Sequence, residues 1–468
     1  MFTGVLVEKS KQVLKMQRNY FGTDGIRGRV GTYPIKPDFF MRLGFAAGRV
    51  LGGTHLPAGR DRPAVLVGKD TRISGYIFES ALQAGLLAAG VDVFLSGPLS
   101  TPGVAFMTRE MNFTAGAVIS ASHNSYEHNG IKFFEKNGRK LSDDIEQKIE
   151  EALEDEFVME FSVRQALGKS KRAIRCQEEY IYFCINSFPA GYSLKGINVV
   201  VDCANGATYN VAEKVFRGLG ANVHLINADP NGFNINENCG SLYPKGLAVS
   251  VLKHKADMGI AFDGDGDRVV FVDGCGHVFD GDKLLYIIAK HRQSQNALRG
   301  GVVGTLMTNL GLENAFRKCN INFERTKVGD RYVLERLHSL GWDLGGESSG
   351  HIICLDKHST GDGIVSALQV LASVVISGHS LRALCADIKE VPQVLISEPV
   401  NPGYDFEQDA DLLRATQEFR KEMGDSGRLL LRTSGTEDVV RIMVEGSDGD
   451  FTKKAANSLA KIIQTSNR

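Results

Sequence analysis

Residues 64–95, AVLVGKDTRISGYIFESALQAGLLAAGVDVFL, switch twice between the periods of regular structure. Ala64–Val67 is a short apolar run with two valines, and the polar, glycine-containing loop from Lys69 to Gly75 follows it. Ile77–Ala89 then places apolar residues at helical spacing, and Val91–Leu95 reads as a second strand. This is a βαβ unit. The pattern recurs with a strand at Asn198–Val201, a loop at Asp202–Ala207, a helix to about Leu219 and a strand at Asn222–Ile226. It recurs again from Gly301–Leu306 through a helix ending near Lys318. Repeated βαβ units predict parallel sheets covered by helices, with ligand loops at the carboxyl ends of the strands.

At 468 residues the chain has room for about three domains of roughly 150 residues each. The charged stretch from Asp143 to Arg175 reads as a long solvated helix plus a connector. Phe188–Gly191 reads as a turn before a fresh strand, Gly274–Gly276 breaks the apolar flow, and a segment of α+β character starts near Val391. These breaks predict an α/β chain of four domains, near 1–176, 177–275, 276–391 and 392–468. The first three are βαβ-built mixed or parallel sheets with helices, and the last is α+β.

Lys and Arg number 54 against 55 Asp and Glu, a net charge of -1. That balance gives no long-range pull toward nucleic acid or an acidic membrane. A small anion must be held by a few locally placed cations. The eight cysteines include no C-x-x-C pair, and Cys176, Cys203, Cys275 and Cys354 lie in or beside apolar runs. They read as free buried thiols of a reducing compartment. The apolar stretch from Ala367 to Ile376 is half of the roughly 20 residues a span needs. Residues 1–15 carry Glu8 and no basic n-region before an apolar core, which argues against a signal peptide. A cytoplasmic chain follows as the expectation.

Four loops carry chemistry. Val118 to Asn124 runs from a strand into a polar turn holding Ser122 and His123. A serine at a strand end serves as a covalent phosphate carrier when neighbours orient it; alone, the segment equally suits an Asx-rich surface turn. The nucleophile-elbow pattern is absent there, and adjacent residues in extended chain point apart.

Asp263, Asp265 and Asp267 alternate with glycines directly after the apolar Met258–Phe262 run, so three carboxylates can converge on one hard cation. Counting Asp263 as the first position, the sixth is Arg268 and the twelfth is Gly274, which excludes an EF-hand. Mg²⁺ suits an all-oxygen site used with phosphate. Gly345 to His351 offers Glu347 and Ser349 to hydroxyl groups, and reads as well as an ordinary turn. Leu431 to Glu437 combines Arg432 with two hydroxyls and a glycine, a composition suited to a phosphate nest. Arg27, Lys69 and Arg72 add cations on glycine-rich loops. Two decoys fail: Gly168-Lys169-Ser170 has Val163 where a P-loop needs its first glycine, and no dinucleotide fingerprint follows any strand.

Eight motifs stand in one order: YFGTDGIRG at 20–28, GKDTRISG at 68–75, ISASHN at 119–124, NGIKFF at 129–134, DGDGDR at 263–268, VGDRYV at 328–333, GESSGH at 346–351 and RTSGTE at 432–437. Together they resemble the α-D-phosphohexomutase superfamily, and within it the bacterial branch acting on glucosamine phosphates. The match runs from about Tyr20 to the C-terminus. The resemblance implies four domains around a deep cleft, each contributing one loop: phosphoserine, metal, sugar and phosphate loops in chain order.

It implies Ser122 as the phosphoserine, and Asp263, Asp265 and Asp267, with a phosphoserine oxygen on Ser122, as ligands of one Mg²⁺ per chain. Lys132, His351 and Arg27 look like proton-transfer or phosphate-contacting groups. Arg268 sits beside the metal loop, Glu347 and Ser349 match the sugar loop, and Arg432, Ser434, Gly435 and Thr436 match the pocket for the phosphate not in transit. The implied reaction interconverts glucosamine 6-phosphate and glucosamine 1-phosphate through a bound glucosamine 1,6-bisphosphate, with glucose 1,6-bisphosphate as an alternative activator. A sugar phosphate is the expected partner, nucleic acid and membrane are not, and a homodimer is allowed without being specified.

Three departures stand out. Ser125 stands where the family usually has proline, Asp438 replaces a common proline, and residues 1–15 precede Met16, where many members begin. The first departure is expected to loosen the nucleophile loop. Two rivals differ in class: an aspartyl-phosphate phosphatase using Asp263, whose usual Thr or Val is Asp267 here, and a non-catalytic sugar-phosphate sensor. Glucose and mannose phosphates are the rival substrates within the superfamily.

Overall fold

The computed structural model describes residues 19–53, 56–57, 59–154, 167–401, 403–433 and 438–466. The opening βαβ reading holds, with strand Ala64–Lys69, helix Gly75–Ala88 and strand Asp92–Pro98. The two strands pair in parallel. All six residues of the first are buried, as a strand covered on both faces requires. Helix Gly75–Ala88 crosses helix Pro37–Gly52 at close range: a Cβ on Gly85 would stand 2.0 Å from the Met41 carbonyl oxygen.

Four sheets follow one another along the chain. The first has six strands, in the order Ile26–Arg29, His128–Glu135, Ala115–Ile119, Ala64–Lys69, Asp92–Pro98 and Ser170–Arg172. The second has five, in the order Val278–Phe279, Val269–Asp273, Met258–Phe262, Asn198–Asp202 and Asn222–Ile226. The third orders Asn322–Thr326, Gly301–Thr305, Leu344–Gly346 and Ile352–Cys354. The last is an antiparallel sheet of Gln393–Pro399, Val439–Gly446 and Gly427–Thr433, covered by helices Ala410–Met423 and Gly449–Ser466.

One apolar cluster runs unbroken through the first three sheets, including Leu66, Phe106, Val201, Phe262, Leu285, Val302, Leu344 and Ile364. The other face of the first sheet carries its own cluster around Phe40, Val65, Leu82 and Ile119. The last sheet has a separate core around Leu412, Val440, Val444 and Leu459.

Three expectations need correction. Helix Asp143–Glu154 is not simply solvated: it buries Ile149 and Leu153, and the Glu150 carboxylate accepts the backbone N–H groups of Asn19, Tyr20 and Phe21 at 2.7–2.8 Å. The stretch after it ends in strand Ser170–Arg172, which extends the first sheet beside Val93–Leu95; residues 155–166 lie outside the described ones. Gly274–Gly276 is a hairpin turn, because the Asp273 carboxylate accepts from Cys275 and His277 and returns the chain as strand Val278–Phe279 on the same sheet. That turn leaves Cys275 exposed. The eight cysteines are free, and six are buried. No described helix is long and apolar enough to cross a membrane. The 1–15 extension lies outside the described residues.

Candidate active site

Three antiparallel strand pairs bring the site together. Ala115–Ile119, Met258–Phe262 and Leu344–Gly346 each run parallel to an inner strand and then double back on an antiparallel partner. The connections hold Ser122, the three aspartates, and Glu347 to His351. They lie at the carboxyl ends of parallel strands, as doubly wound sheets place ligand loops. Lys132 faces Val118 across the first pair, which aims its side chain beneath the serine loop.

Ser122 is buried with φ at +52°, the left-handed region that a non-glycine residue enters at a cost. Three groups hold it there. Arg72 Nη2 donates to the carbonyl oxygens of Ser122 and Asn124 at 2.9 and 2.8 Å. Asn236 Nδ2 donates to the same two oxygens at 2.9 Å each. The Ser122 N–H donates to Ser120 Oγ at 2.9 Å. Arg72 also binds the Ser125 carbonyl, so the chain is gripped at the position where proline was expected.

The hydroxyl of Ser122 donates to Asp263 Oδ2 at 2.7 Å and lies 3.3 Å from His123 Nδ1. Sequence reasoning set the Ser122–His123 adjacency aside; the left-handed turn swings the two side chains to one side. Burial, then Arg268 and Arg27, push the His123 pKa down to about 4, so its ring is neutral at pH 7.

One carboxylate oxygen from each of Asp263, Asp265 and Asp267 lies within 4.8 Å of the others, and all three residues are buried. Asp263 Oδ1 accepts the N–H groups of Gly266 and Arg268 at 3.1 Å. Thr101 Oγ1 donates to Asp265 Oδ2 at 2.7 Å. Lys132 Nζ lies 2.9 Å from Asp265 Oδ2 and 3.3 Å from Asp267 Oδ2. Asp265 Oδ1 and Asp267 Oδ1 are buried without a hydrogen-bond partner among the described residues. Hard oxygens left open at the centre of such a cluster fit a divalent cation. Gly264 makes room for the approach: a Cβ there would meet the Ser122 carbonyl oxygen at 2.7 Å.

The protonation pattern follows from the crowding. Burial, then Asp267 and Asp265, push the Asp263 carboxyl well above its usual range. Burial acts the same way on Asp267, but Lys132 and His351 hold it well below that range. Burial alone would lower the His351 pKa; Asp267 and Asp330 push it up to about 9.

Arg268 lies 3.9 Å from Asp267, with its Nε buried and without a hydrogen-bond partner. His351 Nδ1 lies 3.6 Å from Asp267 Oδ1. Arg27 pairs with Asp24, which also meets Lys132 at 3.1 Å. Glu347 Oε1 accepts the Gly329 N–H at 2.9 Å, and Ser349 Oγ is buried without a hydrogen-bond partner among the described residues.

Two expected cations are engaged elsewhere. Lys69 pairs with Glu79 at 2.6 Å and lies over the Tyr76 ring, while Arg72 is 0% exposed and bound to Asp70. Arg432 is the last residue but one of strand Gly427–Thr433, opposite Arg441, and no hydrogen bond or ion pair between described residues joins it to the three-loop cluster. Ser434, Gly435 and Thr436 lie outside the described residues. Sequence reasoning missed Asp24, Thr101, Lys140 and Asn236, although the motifs at 20–28 and 328–333 already contained two ends of their network.

Profiles of the phosphoglucomutase/phosphomannomutase alpha/beta/alpha domains I, II and III match residues 18–158, 178–276 and 280–391. The profile of the C-terminal domain matches 395–462. A protein of Thiobacillus denitrificans named phosphoglucosamine mutase is 52% identical over 451 residues, covering 96% of this chain and 98% of its own. One of Aromatoleum aromaticum with the same name is 53% identical over 450 residues, covering 96% and 99%. Among solved structures, a phosphoglucomutase/phosphomannomutase family protein from Burkholderia thailandensis superposes with a TM-score of 0.76 at 23% identity, covering 95% of this chain and 97% of its own. The N-acetylphosphoglucosamine mutase of Aspergillus fumigatus, solved with GlcNAc-6P and magnesium, superposes at 0.66 with 17% identity, covering 97% and 96%.

Proposed function

This chain belongs to the phosphoglucomutase/phosphomannomutase family, and from that premise we propose that it is a phosphoglucosamine mutase, interconverting glucosamine 6-phosphate and glucosamine 1-phosphate. The observation that carries the reading is Ser122: a buried serine held in a left-handed turn, its hydroxyl 2.7 Å from a cluster of three aspartates.

In this reading phospho-Ser122 gives its phosphoryl group to O1 of glucosamine 6-phosphate. The bound 1,6-bisphosphate turns over and returns its 6-phosphate to Ser122. Lys132, His351 and Arg27 stand around the transferring group as proton carriers or phosphate contacts. Asp263, Asp265 and Asp267 would hold one Mg²⁺, which when bound offsets charge on the moving phosphoryl group. Arg268 contacts the phosphate beside that loop, Glu347 and Ser349 take the sugar hydroxyls, and Arg432 with Ser434, Gly435 and Thr436 take the other phosphate. The units near 1–176, 177–275, 276–391 and 392–468 supply these four loops, and the setting is the cytoplasm.

Intact-mass spectrometry of the purified protein is expected to show a fraction about 80 Da heavier, the mass of one phosphoryl group. Ser122→Ala loses both that species and turnover. Glucosamine 6-phosphate is converted at least about tenfold more efficiently than glucose or mannose phosphates, a preference needing only about 1.4 kcal/mol. Full turnover in Ser122→Ala overturns the chemistry; a preference for glucose or mannose phosphate overturns the substrate alone.

A further inference from the structure

The motif at 328–333 and the lysine after strand His128–Glu135 take no part in the reaction above, yet they meet. Lys140 Nζ lies 2.5 Å from Asp24 Oδ1 and 2.5 Å from Asp330 Oδ2. Asp24 continues to Lys132 Nζ at 3.1 Å, and Asp330 continues to His351 Nε2 at 3.5 Å. Lys132 and His351 each return to Asp267, at 3.3 Å from one carboxylate oxygen and 3.6 Å from the other. The six side chains close a ring, Asp267–Lys132–Asp24–Lys140–Asp330–His351, in which acidic and basic groups alternate. The ring joins loops of the first, second and third sheets.

We infer that Lys140 and Asp330 are positioning residues for phosphoryl transfer, closing a ring that fixes the Lys132 ammonium and the His351 imidazole at the two oxygens of Asp267. The inference rests on the reading of Ser122 and the aspartate loop as the transfer site.

Docking of the third domain on the first does not account for the pair. The neighbouring Arg331 already joins the two domains, reaching Asp143 at 2.7 Å, Glu146 at 3.0 Å and the Leu141 carbonyl oxygen at 2.7 Å. Lys140 and Asp330 are each only 13% exposed at the side chain. Taking two charges out of water costs more than an apolar contact of the same size, so an ion pair here is a poor choice for adhesion alone. It is a suitable choice for orientation. A carboxylate facing a protonated imidazole ring favours one orientation of that ring through charge attraction, and removing such a partner misplaces the group it holds. Asp330 stands in that relation to His351 as an ion-pair partner at 3.5 Å, the buried Nε2 making no hydrogen bond among the described residues, and Asp24 to Lys132 at 3.1 Å. Lys140 binds the two carboxylates to each other across the seam, so a shift of one domain moves both working side chains together.

The test compares steady-state kinetics of Lys140→Met, Asp330→Asn and the double variant, each in the full-length Mg²⁺-loaded enzyme, with Arg331→Met as the docking control. Each single change is expected to lower kcat at least about tenfold while KM moves less than about threefold, because the residues read as holding the sugar and the other phosphate are untouched. The double variant loses no more than the worse single, the signature of residues acting as one unit. Lys140→Arg restores most of the loss, and Arg331→Met lowers the melting temperature while keeping kcat within about threefold. Unchanged kcat in either single variant overturns the inference. So does a multiplicative loss in the double, or an Arg331→Met loss as large as that of Lys140→Met. Asp330→Asn is isosteric and carries the test alone if Lys140→Met does not fold. Wild-type enzyme inactive on glucosamine 6-phosphate sinks the substrate reading, and the ring is then tested on the hexose phosphate that the wild type does convert.

Discussion

At the scale of single residues, Ser122 occupies a backbone conformation that its own side chain disfavours, and its neighbours supply the difference. Arg72 is the chief of them: fully buried, it joins the Asp70 carboxylate at 2.8 Å to the carbonyl oxygens of Ser122 and Asn124. Arg72→Met removes these donors and leaves Asp70 buried and unpaired, a loss of about 3–5 kcal/mol in stability. Arg72→Lys keeps the charge, but an ammonium cannot span several acceptors in one plane. The expected outcome is kcat down at least about a hundredfold in Arg72→Lys with folding retained, seen in parallel kinetics and circular dichroism. Wild-type kcat in Arg72→Lys would show that the loop needs no such brace.

The sequence displayed Ser122 and the aspartates because each lies in a short, glycine-punctuated motif. It hid Arg72 in plain sight: among GKDTRISG it reads as a cation for an anionic ligand, and only the packing of residues 50 positions apart makes it a brace. Asn236, Thr101 and Lys140 have no local signal at all, since their partners lie 114, 164 and 190 residues away.

At the scale of elements, the loops are legible because strand, turn and strand each have a period, while the pairing of one element with another is not. Helix Gly363–Ser377 shows the difference. Its apolar run and its local cap, Asp362 accepting from Ile364 and Val365, are plain in the sequence, but the Tyr180 hydroxyl that the same carboxylate takes at 2.8 Å is not. Nearby, His358 lies 3.0 Å from the Pro102 carbonyl oxygen and packs on the Phe183 ring.

Burial raises the Asp362 pKa from 3.8 to about 6. Burial, then Arg109, lowers that of His358 from 6.5 to about 3. The signs oppose. His358 binds a proton more readily in the unfolded chain, so its contribution to stability is lost as pH falls below 6.5 toward 3. Asp362 binds a proton more readily in the folded chain, so its contribution is gained as pH falls from 6 toward 3.8. Between those limits their two contributions nearly cancel. Asp362→Asn keeps an oxygen for the cap and exposes the histidine slope, a loss approaching about 1.4 kcal/mol per pH unit on acidification. His358→Gln exposes the opposite slope. Urea melts across this range, subtracted from wild type, measure both; parallel curves for all three proteins would refute the pairing.

At the scale of the whole molecule, the division of the core decides how the parts can move. The first three sheets share one apolar cluster and so form one packed body, whereas the last sheet encloses its own. The join between them is polar. Arg428 pairs with Glu445 and donates to the carbonyl oxygens of Leu306 and Thr308 at 3.2 and 3.0 Å. Glu445, 0% exposed, also accepts from Gln393 at 3.1 Å and from the Leu310 N–H at 3.3 Å. Polar joins between separate cores are where domains shift relative to one another and unfold as distinct units. Such freedom would suit the reading proposed above, in which the final domain takes one phosphate of the sugar.

Calorimetry of the full-length protein should therefore resolve two transitions, with the last domain melting first. A hexose 1,6-bisphosphate, bound at both ends, should raise the lower transition toward the upper. Arg428→Met strands the buried Glu445 charge and should lower the first transition by about 3 kcal/mol or more, leaving the second in place. Adding Glu445→Leu removes the stranded charge and should recover much of that loss, since an apolar pair of similar volume is often as stable as a buried ion pair. A single transition shifted as a whole by Arg428→Met would mean that the polar join couples all four domains into one cooperative unit despite their divided cores.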